Sequence, residues 1–232
     1  MKLPKFEYVF EQEWLLSHCH GKSVLHLGCA GDATLEGGPA SSLHIRVSKI
    51  ADCLWGIELN QTSLNQIKAW LPDDGDKVRY FSGNVENLKE LGIQKKFDVI
   101  LAGSIIEHVS NPGLMLSGIY DLMAPNGLLL ISTPHTWGIL QFLRVALHRT
   151  EAVNPEHVCW YSVPTLTELV SRYGFAPIEW ATGFGWRPST LKWKIQKAIG
   201  IPIFKIFPHL GGSLLGAFKK IEQKTQLERC SS

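Results

Sequence analysis

FDVILAGSIIEHVSNPGLMLSGIYDLMAPNGLLLISTP, residues 97–134, decides the fold. Apolar residues 99–101 read as a strand that runs into a small-residue turn of Ala102, Gly103 and Ser104. Glu107 and His108 follow, then Asn111 and Pro112, a helical stretch, and Pro125-Asn126-Gly127. A second apolar strand, 128–131, ends in Ser132, Thr133, Pro134 and His135. Strand, helix, strand in this order is a parallel crossover unit. Small and polar residues collect where each strand ends, and open α/β sheets bind ligands at those carboxyl ends.

The same alternation extends in both directions. Short apolar runs at 23–27, 54–57, 78–81, 175–180 and 213–218 read as further strands, which makes seven with the two above. Between them, 41–51 and 61–70 read as helices. Residues 162–174 read as another, with Ser162 as N-cap, Pro164 in the first turn and Gly174 as the stop. Residues 6–19 read as one amphipathic helix, with Phe6, Val9, Phe10, Trp14 and Leu15 on one side. The expected architecture is α/β: a Rossmann-like, mostly parallel sheet of seven strands with helices on both faces. A single domain over 1–232 accounts for the length.

Composition narrows the setting. Residues 1–184 hold 14 Lys/Arg against 19 Asp/Glu, whereas 185–232 hold 9 against 2. The positive charge therefore sits near the C-terminus. The cysteines (Cys19, Cys29, Cys53, Cys159 and Cys230) show no C-x-x-C spacing, so they read as buried free thiols in a reducing compartment. The opening MKLPKFEYVFEQEW is too polar for a signal peptide. No apolar run is long enough to span a bilayer. A cytoplasmic enzyme is expected.

A glycine turn lies between the first strand and the next helix: VLHLGCAGD, residues 24–32. Such a turn puts backbone N–H groups against a ligand. Glu58 closes the second strand, where a carboxylate can accept bonds from both hydroxyls of a ribose. Glu58 alone does not choose between ribose-bearing cofactors. GNVENL, residues 83–88, follows the third strand, and Asn84 there suits both a helix cap and the edge of an adenine.

Taken in order, these blocks and the 97–134 segment resemble class I S-adenosylmethionine-dependent methyltransferases. The likeness is to the subgroup with a Glu-His signature and a Pro-x-Gly before the fifth strand, which includes quinone and glycan O-methyltransferases. It covers residues 22–184. Gly28 stands at the first motif glycine, with Ala30 at the second, Asp32 at the third and His26 at the usual acidic position. The resemblance implies S-adenosyl-L-methionine as cofactor. Its binding residues would be Gly28, Cys29, Ala30, Gly31, Glu58, Leu59, Asn84, Val85, Ala102 and Gly103. Two alternatives stay open: a nicotinamide-dependent oxidoreductase, and a non-catalytic member of the same fold. The former would want an intact G-x-G-x-x-G with an acid about 20 residues on.

Methyl transfer needs alignment, exclusion of water and often a base. Histidine is the usual base near neutral pH. His108, His135 and His157 lie near expected strand ends, and His157 opens an H-x-x-W-Y-S run. No pair of these has helical i, i+4 spacing, so no metal site is expected. The acceptor would be a small molecule, or one linked to lipid or glycan. Residues 137–152 occupy the usual place of a lid. Residues 185–210 form a basic insertion in which Trp186 and Trp193 alternate with Arg187, Lys192, Lys194, Lys197 and Lys205. Over 186–205 this pattern suits a capping helix first, and a peripheral contact with an anionic membrane second. Nucleic acid is disfavoured, because no recognition module is present and the N-terminal part is acidic.

Overall fold

The computed structural model describes residues 2–31, 38–151, 153–184, 202 and 204–221. Asp32, Cys230 and most of the basic insertion, 185–201 and 203, lie outside the described residues. So do the expectations that rest on them.

An eight-stranded sheet organises the chain. In chain order the strands are β1 (Glu7–Phe10), β2 (Ser23–Leu27), β3 (Cys53–Glu58), β4 (Val78–Ser82), β5 (Phe97–Gly103), β6 (Met123–Pro134), β7 (Phe175–Phe184) and β8 (Ser213–Lys220). Across the sheet they run β1-β7-β8-β6-β5-β2-β3-β4. Every pairing is parallel except those of β8, which runs antiparallel to β6 and β7. Among the described residues the α-helices are α1 (Glu11–Ser17), α2 (Leu43–Ser48), α3 (Gln61–Trp70), α4 (Pro112–Leu122), α5 (Ile139–His148) and α6 (Val163–Arg172). Among the described residues, no helix is long and apolar enough to cross a membrane.

Strand periodicity divides the core between the two faces. Leu25, Leu27, Ile100, Ala102, Leu129 and Ile131 pack with Leu116 and Ile119 of α4 and Leu166 and Val170 of α6. Their sequence neighbours Val24, Val99, Leu101 and Leu130 point the other way, against Trp14 and Leu15 of α1 and Val47 of α2. Phe97, Phe175 and Phe218 are fully buried, and each such side chain contributes about 1.5–3 kcal/mol by leaving water.

Local signals explain the helix starts. The Asn60 side chain accepts from the Ser63 amide at 3.0 Å and caps α3. The Ser42 hydroxyl accepts from the Ile45 amide and caps α2. Pro112 opens α4, where its missing N–H is no loss.

Three elements differ from the expectation. Residues 6–19 are not one helix: 7–10 pair parallel with Ala181–Phe184 of β7 as an eighth strand, and only Glu11–Ser17 are helical. A distant partner strand overrides the local pattern there. Pro125-Asn126-Gly127 does not precede its strand but bulges within β6, because the register jumps from Phe97↔Met123 to Val99↔Leu128. Asn126 takes the left-handed conformation (φ 62°), which Asn tolerates. The thiols are not uniformly buried: Cys19 and Cys29 are, whereas Cys159 is exposed.

Candidate active site

The chain runs β2, β3, β4 outward on one side of β2, then returns to place β5 on the other. This reversal makes a crevice at the carboxyl ends of β2 and β5, the switch point where open α/β sheets take ligands. Gly28 turns the chain there with φ 65°. A Cβ at Gly28 would lie 2.8 Å from Cδ1 of Ile105, so glycine also lets the β2 and β5 turns approach.

Glu58 stands at the tip of β3. Its Oε2 accepts from the Ala30 amide at 3.2 Å and its Oε1 from the Asn60 amide at 3.0 Å. The carboxylate thus ties the glycine turn to the start of α3. Each oxygen keeps further lone-pair capacity. Leu59 beside it is 68% exposed. Cys29 and Ala30 are buried with Leu64, Ile67 and Tyr80, so only their main chain can reach a ligand. Asn84 Oδ1 accepts from the Glu86 amide at 2.9 Å. Its cap role is real, and its Nδ2 donors are what remain for a ligand. Val85 is buried beneath it. Ala102 and Gly103 end β5, and the Ser104 amide donates to the Ser132 carbonyl at 2.9 Å.

His26 does not present an acid's charge to this crevice. It packs against His44, Nδ1 to Nδ1 at 3.2 Å, one ring donating and the other accepting. Burial pushes His26 down to about 4 and holds His44 well below the ordinary imidazole value, with His26 adding to the latter. Both rings are therefore neutral near pH 7.

Beyond β5 the turn carries Glu107 and His108. The Val158 amide donates to the Glu107 carbonyl at 2.8 Å, and the His157 amide to the Asn154 carbonyl at 2.9 Å. These bonds bring the 154–158 turn onto the end of β5. The His108 and His157 rings meet edge to face at 4.5 Å. Ligand atoms of Glu107, His108 and His157 all lie within 4.8 Å of one another, so these three residues could hold a metal ion. The absence of helical spacing did not reveal this, because a loop supplies His157. Burial pushes the Glu107 carboxyl up to about 7, with the charge of Glu11 adding and the Thr133 hydroxyl opposing. Burial and then His108 hold His157 below its usual value, against Glu156. His157 Nδ1 is buried without a hydrogen-bond partner among the described residues.

His135 stands apart from this pair. It is 2% exposed, and its Nδ1 donates to the Gly211 carbonyl at 3.0 Å. That bond fixes the tautomer and leaves Nε2 as the accepting nitrogen. Burial lowers its pKa. Glu107, which the sequence reading passed over as a site residue, is the buried member of the cluster; its adjacency to His108 was the available signal.

The sheet order and the switch-point crevice are those of the class I S-adenosylmethionine-dependent methyltransferase fold, and comparison with known proteins gives the family. Residues 17–179 match a family model described as a methyltransferase domain, and the chain belongs to that family. A ubiquinone biosynthesis O-methyltransferase from Dechloromonas aromatica is 32% identical over 49% of this chain and 44% of its own length. Another, from Azorhizobium caulinodans, is 24% identical over 80% of this chain and 71% of its own. The chain thus spans about half the length of several curated relatives it matches. An S-adenosylmethionine-dependent methyltransferase structure from Mesorhizobium loti superposes with a TM-score of 0.58, at 14% identity, over 90% of this chain and 96% of that one. The N-methyltransferase NodS from Bradyrhizobium japonicum, in complex with S-adenosyl-L-homocysteine, gives 0.59 at 11% identity over 91% and 86%. The oxidoreductase alternative falls with the family assignment.

Proposed function

We propose that this protein places the methyl group of S-adenosylmethionine on a hydroxyl oxygen of a small, lipid-linked or glycan-linked acceptor, with His157 taking the proton. What carries this reading is the turn after β5, where Glu107, His108 and His157 converge one strand away from the glycine turn after β2. The preference for oxygen draws on the relatives named O-methyltransferases.

The residues present fit the cofactor. The turn at Gly28 would bring the main chain of Gly28, Cys29, Ala30 and Gly31 to the cofactor, with the Gly28 and Cys29 amides already held by the Ile57 carbonyl and the Ala30 amide by Glu58. Glu58 has lone pairs left for two ribose hydroxyls, Leu59 offers apolar surface to the adenine, and Asn84 offers Nδ2 donors above Val85. Gly103, half-buried at the end of β5, would leave room for the methionine end, with Ala102 packed in the core before it. When bound, S-adenosylmethionine supplies an already activated methyl group on a sulfonium.

His157 is neutral at physiological pH and so can accept the proton that the acceptor hydroxyl loses as its oxygen gains the methyl. His108 holds the His157 ring at its edge. His135, with Nε2 fixed as acceptor, orients the acceptor from the β6 side. The test is incubation of the full chain with S-adenosylmethionine and a panel of phenols and sugar alcohols, followed by mass spectrometry. Methyl ethers formed together with S-adenosylhomocysteine are expected. Cofactor binding with no methylated product from any acceptor would favour the non-catalytic alternative, and methylation of amines alone would overturn the oxygen assignment.

A further inference from the structure

We propose that α5, together with Trp137, Ile206 and Phe207, docks the protein on an anionic lipid bilayer. Docking of this kind is independent of which acceptor is methylated. No residue of α5 is buried. Leu140, Phe142, Leu143, Val145 and Leu147 are 46, 65, 41, 47 and 71% exposed, and Trp137 before them is 61% exposed. Laid out at about 100° per residue, the apolar side chains of 139–147 sweep well over half of the helix. Gln141, Arg144 and His148 form the narrow polar stripe opposite. A helix of ten residues is marginal in water by itself, so this one needs a surface to lie against.

The apolar patch continues onto a second segment. Ile206 and Phe207 are 71% and 49% exposed. From Phe207 the chain turns through Pro208–Leu210 to Gly211 and Gly212. A Cβ on Gly138, at the start of α5, would come 3.3 Å from Gly212 Cα. The helix and the 206–207 segment therefore rise from one rim, the rim on which His135 bonds to Gly211.

Charge selects the occupant. From 135 to 150 the chain holds Arg144, Arg149, His135 and His148 and no Asp or Glu, with Glu151 the first acid after α5, and from 180 to 221 there is again no acidic residue. A second copy meeting this face would bring two cationic rims together. The 185–201 stretch of the same chain carries Arg187, Lys192, Lys194 and Lys197, and so also brings like charge. An anionic headgroup layer neutralises these cations, while the acyl boundary accepts Trp137, Phe142 and Leu147.

Sedimentation of the full chain with phosphatidylcholine vesicles, with and without phosphatidylglycerol, tests this. Binding is expected on the anionic vesicles and should fall about tenfold or more on neutral ones or at high salt. The double variant Phe142→Ser with Leu147→Ser should lose about tenfold or more in vesicle binding and keep its affinity for S-adenosylmethionine by calorimetry, which reports that it is folded. Three outcomes overturn the proposal: no sedimentation of the wild-type chain with anionic vesicles, equal binding to both compositions, or wild-type binding by the double variant. A fourth is a wild-type dimer in light scattering that the double variant dissolves, since a second copy would then occupy the face.

Discussion

The carboxyl rim of the sheet is built in two ways. Over β2, β3 and β5 it is main chain and buried side chain: Gly28 at a positive φ, Cys29 and Ala30 sunk in the core, and Glu58 bridging two turns. From the turn after β5 across to β8 it is histidines, an exposed apolar helix and a basic border. The first half faces a cofactor whose chemistry never changes, and it is pre-organised by hydrogen bonds from residues close in space. In the function proposed above, the second half would face the acceptor and carry the groups that do proton chemistry. Selectivity in such a molecule belongs to the side that is least packed.

Substitutions should separate the two halves. The largest effect is expected on the acceptor side: His157→Ala should lower turnover about 100-fold or more with S-adenosylmethionine affinity unchanged in calorimetry. If His157→Ala and His135→Ala each keep near-full turnover on an acceptor the wild type methylates, the base is elsewhere, His108 first. Glu58→Ala should do the reverse, weakening cofactor binding by about ten- to a hundredfold, equal to losing roughly 1.5–3 kcal/mol. Unchanged affinity in a folded Glu58→Ala variant would remove Glu58 from the cofactor site.

Glu107 lies on the seam between the halves and sets a pH dependence. Its folded pKa of about 7 is above the ordinary carboxyl value, so its protonated form is the one the fold favours. Its contribution to stability is fully present below the unfolded pKa and is lost as pH rises through about 7. Glu107→Gln should therefore gain on the order of 2 kcal/mol over wild type at pH 8, with little difference at pH 4, in paired denaturant titrations. A constant difference across that range would mean that the carboxyl is not buried as described. The smallest effect should come from Asn60→Ala, which removes the cap of α3 behind Glu58 and costs about 1 kcal/mol with turnover preserved; an unchanged denaturation midpoint would show that the cap is idle.

The cofactor half was the more legible. Its signals are local: an apolar strand, a small-residue turn, a polar residue at a fixed offset, and the switch from period 2 to period 3.6 marking each βα step. Asn84 read correctly as a cap for the same reason. β1 was not legible, since EYVF fits a strand or a helix and only its partner β7 decides. The bulge at Asn126 was hidden because Pro-Asn-Gly also ends strands. The cluster after β5 was half legible: Glu107 and His108 are neighbours in sequence, whereas His157 joins them through the Val158 amide, a contact with no local signature. The exposure of α5 was not legible, because it depends on what the rest of the chain fails to cover.

The pairing of β1 with β7 joins residues about 170 positions apart, Glu7 with Ala181, whereas β5 and β6 meet across a short connection. Closing so long a loop is entropically the costliest pairing in the sheet, and contacts of that kind form slowly. During synthesis β1 must wait until β7 has emerged, and β8 too, because β8 is what joins β7 to the rest of the sheet. With it waits α1, which carries Trp14 and Leu15 for one face of the core. Pulsed hydrogen exchange during refolding should protect the amides of β5 and β6 before those of β1; simultaneous protection would place the edge strand in the nucleus. The chain's N-terminal residues then act as the clasp that completes the enzyme after its centre has already formed.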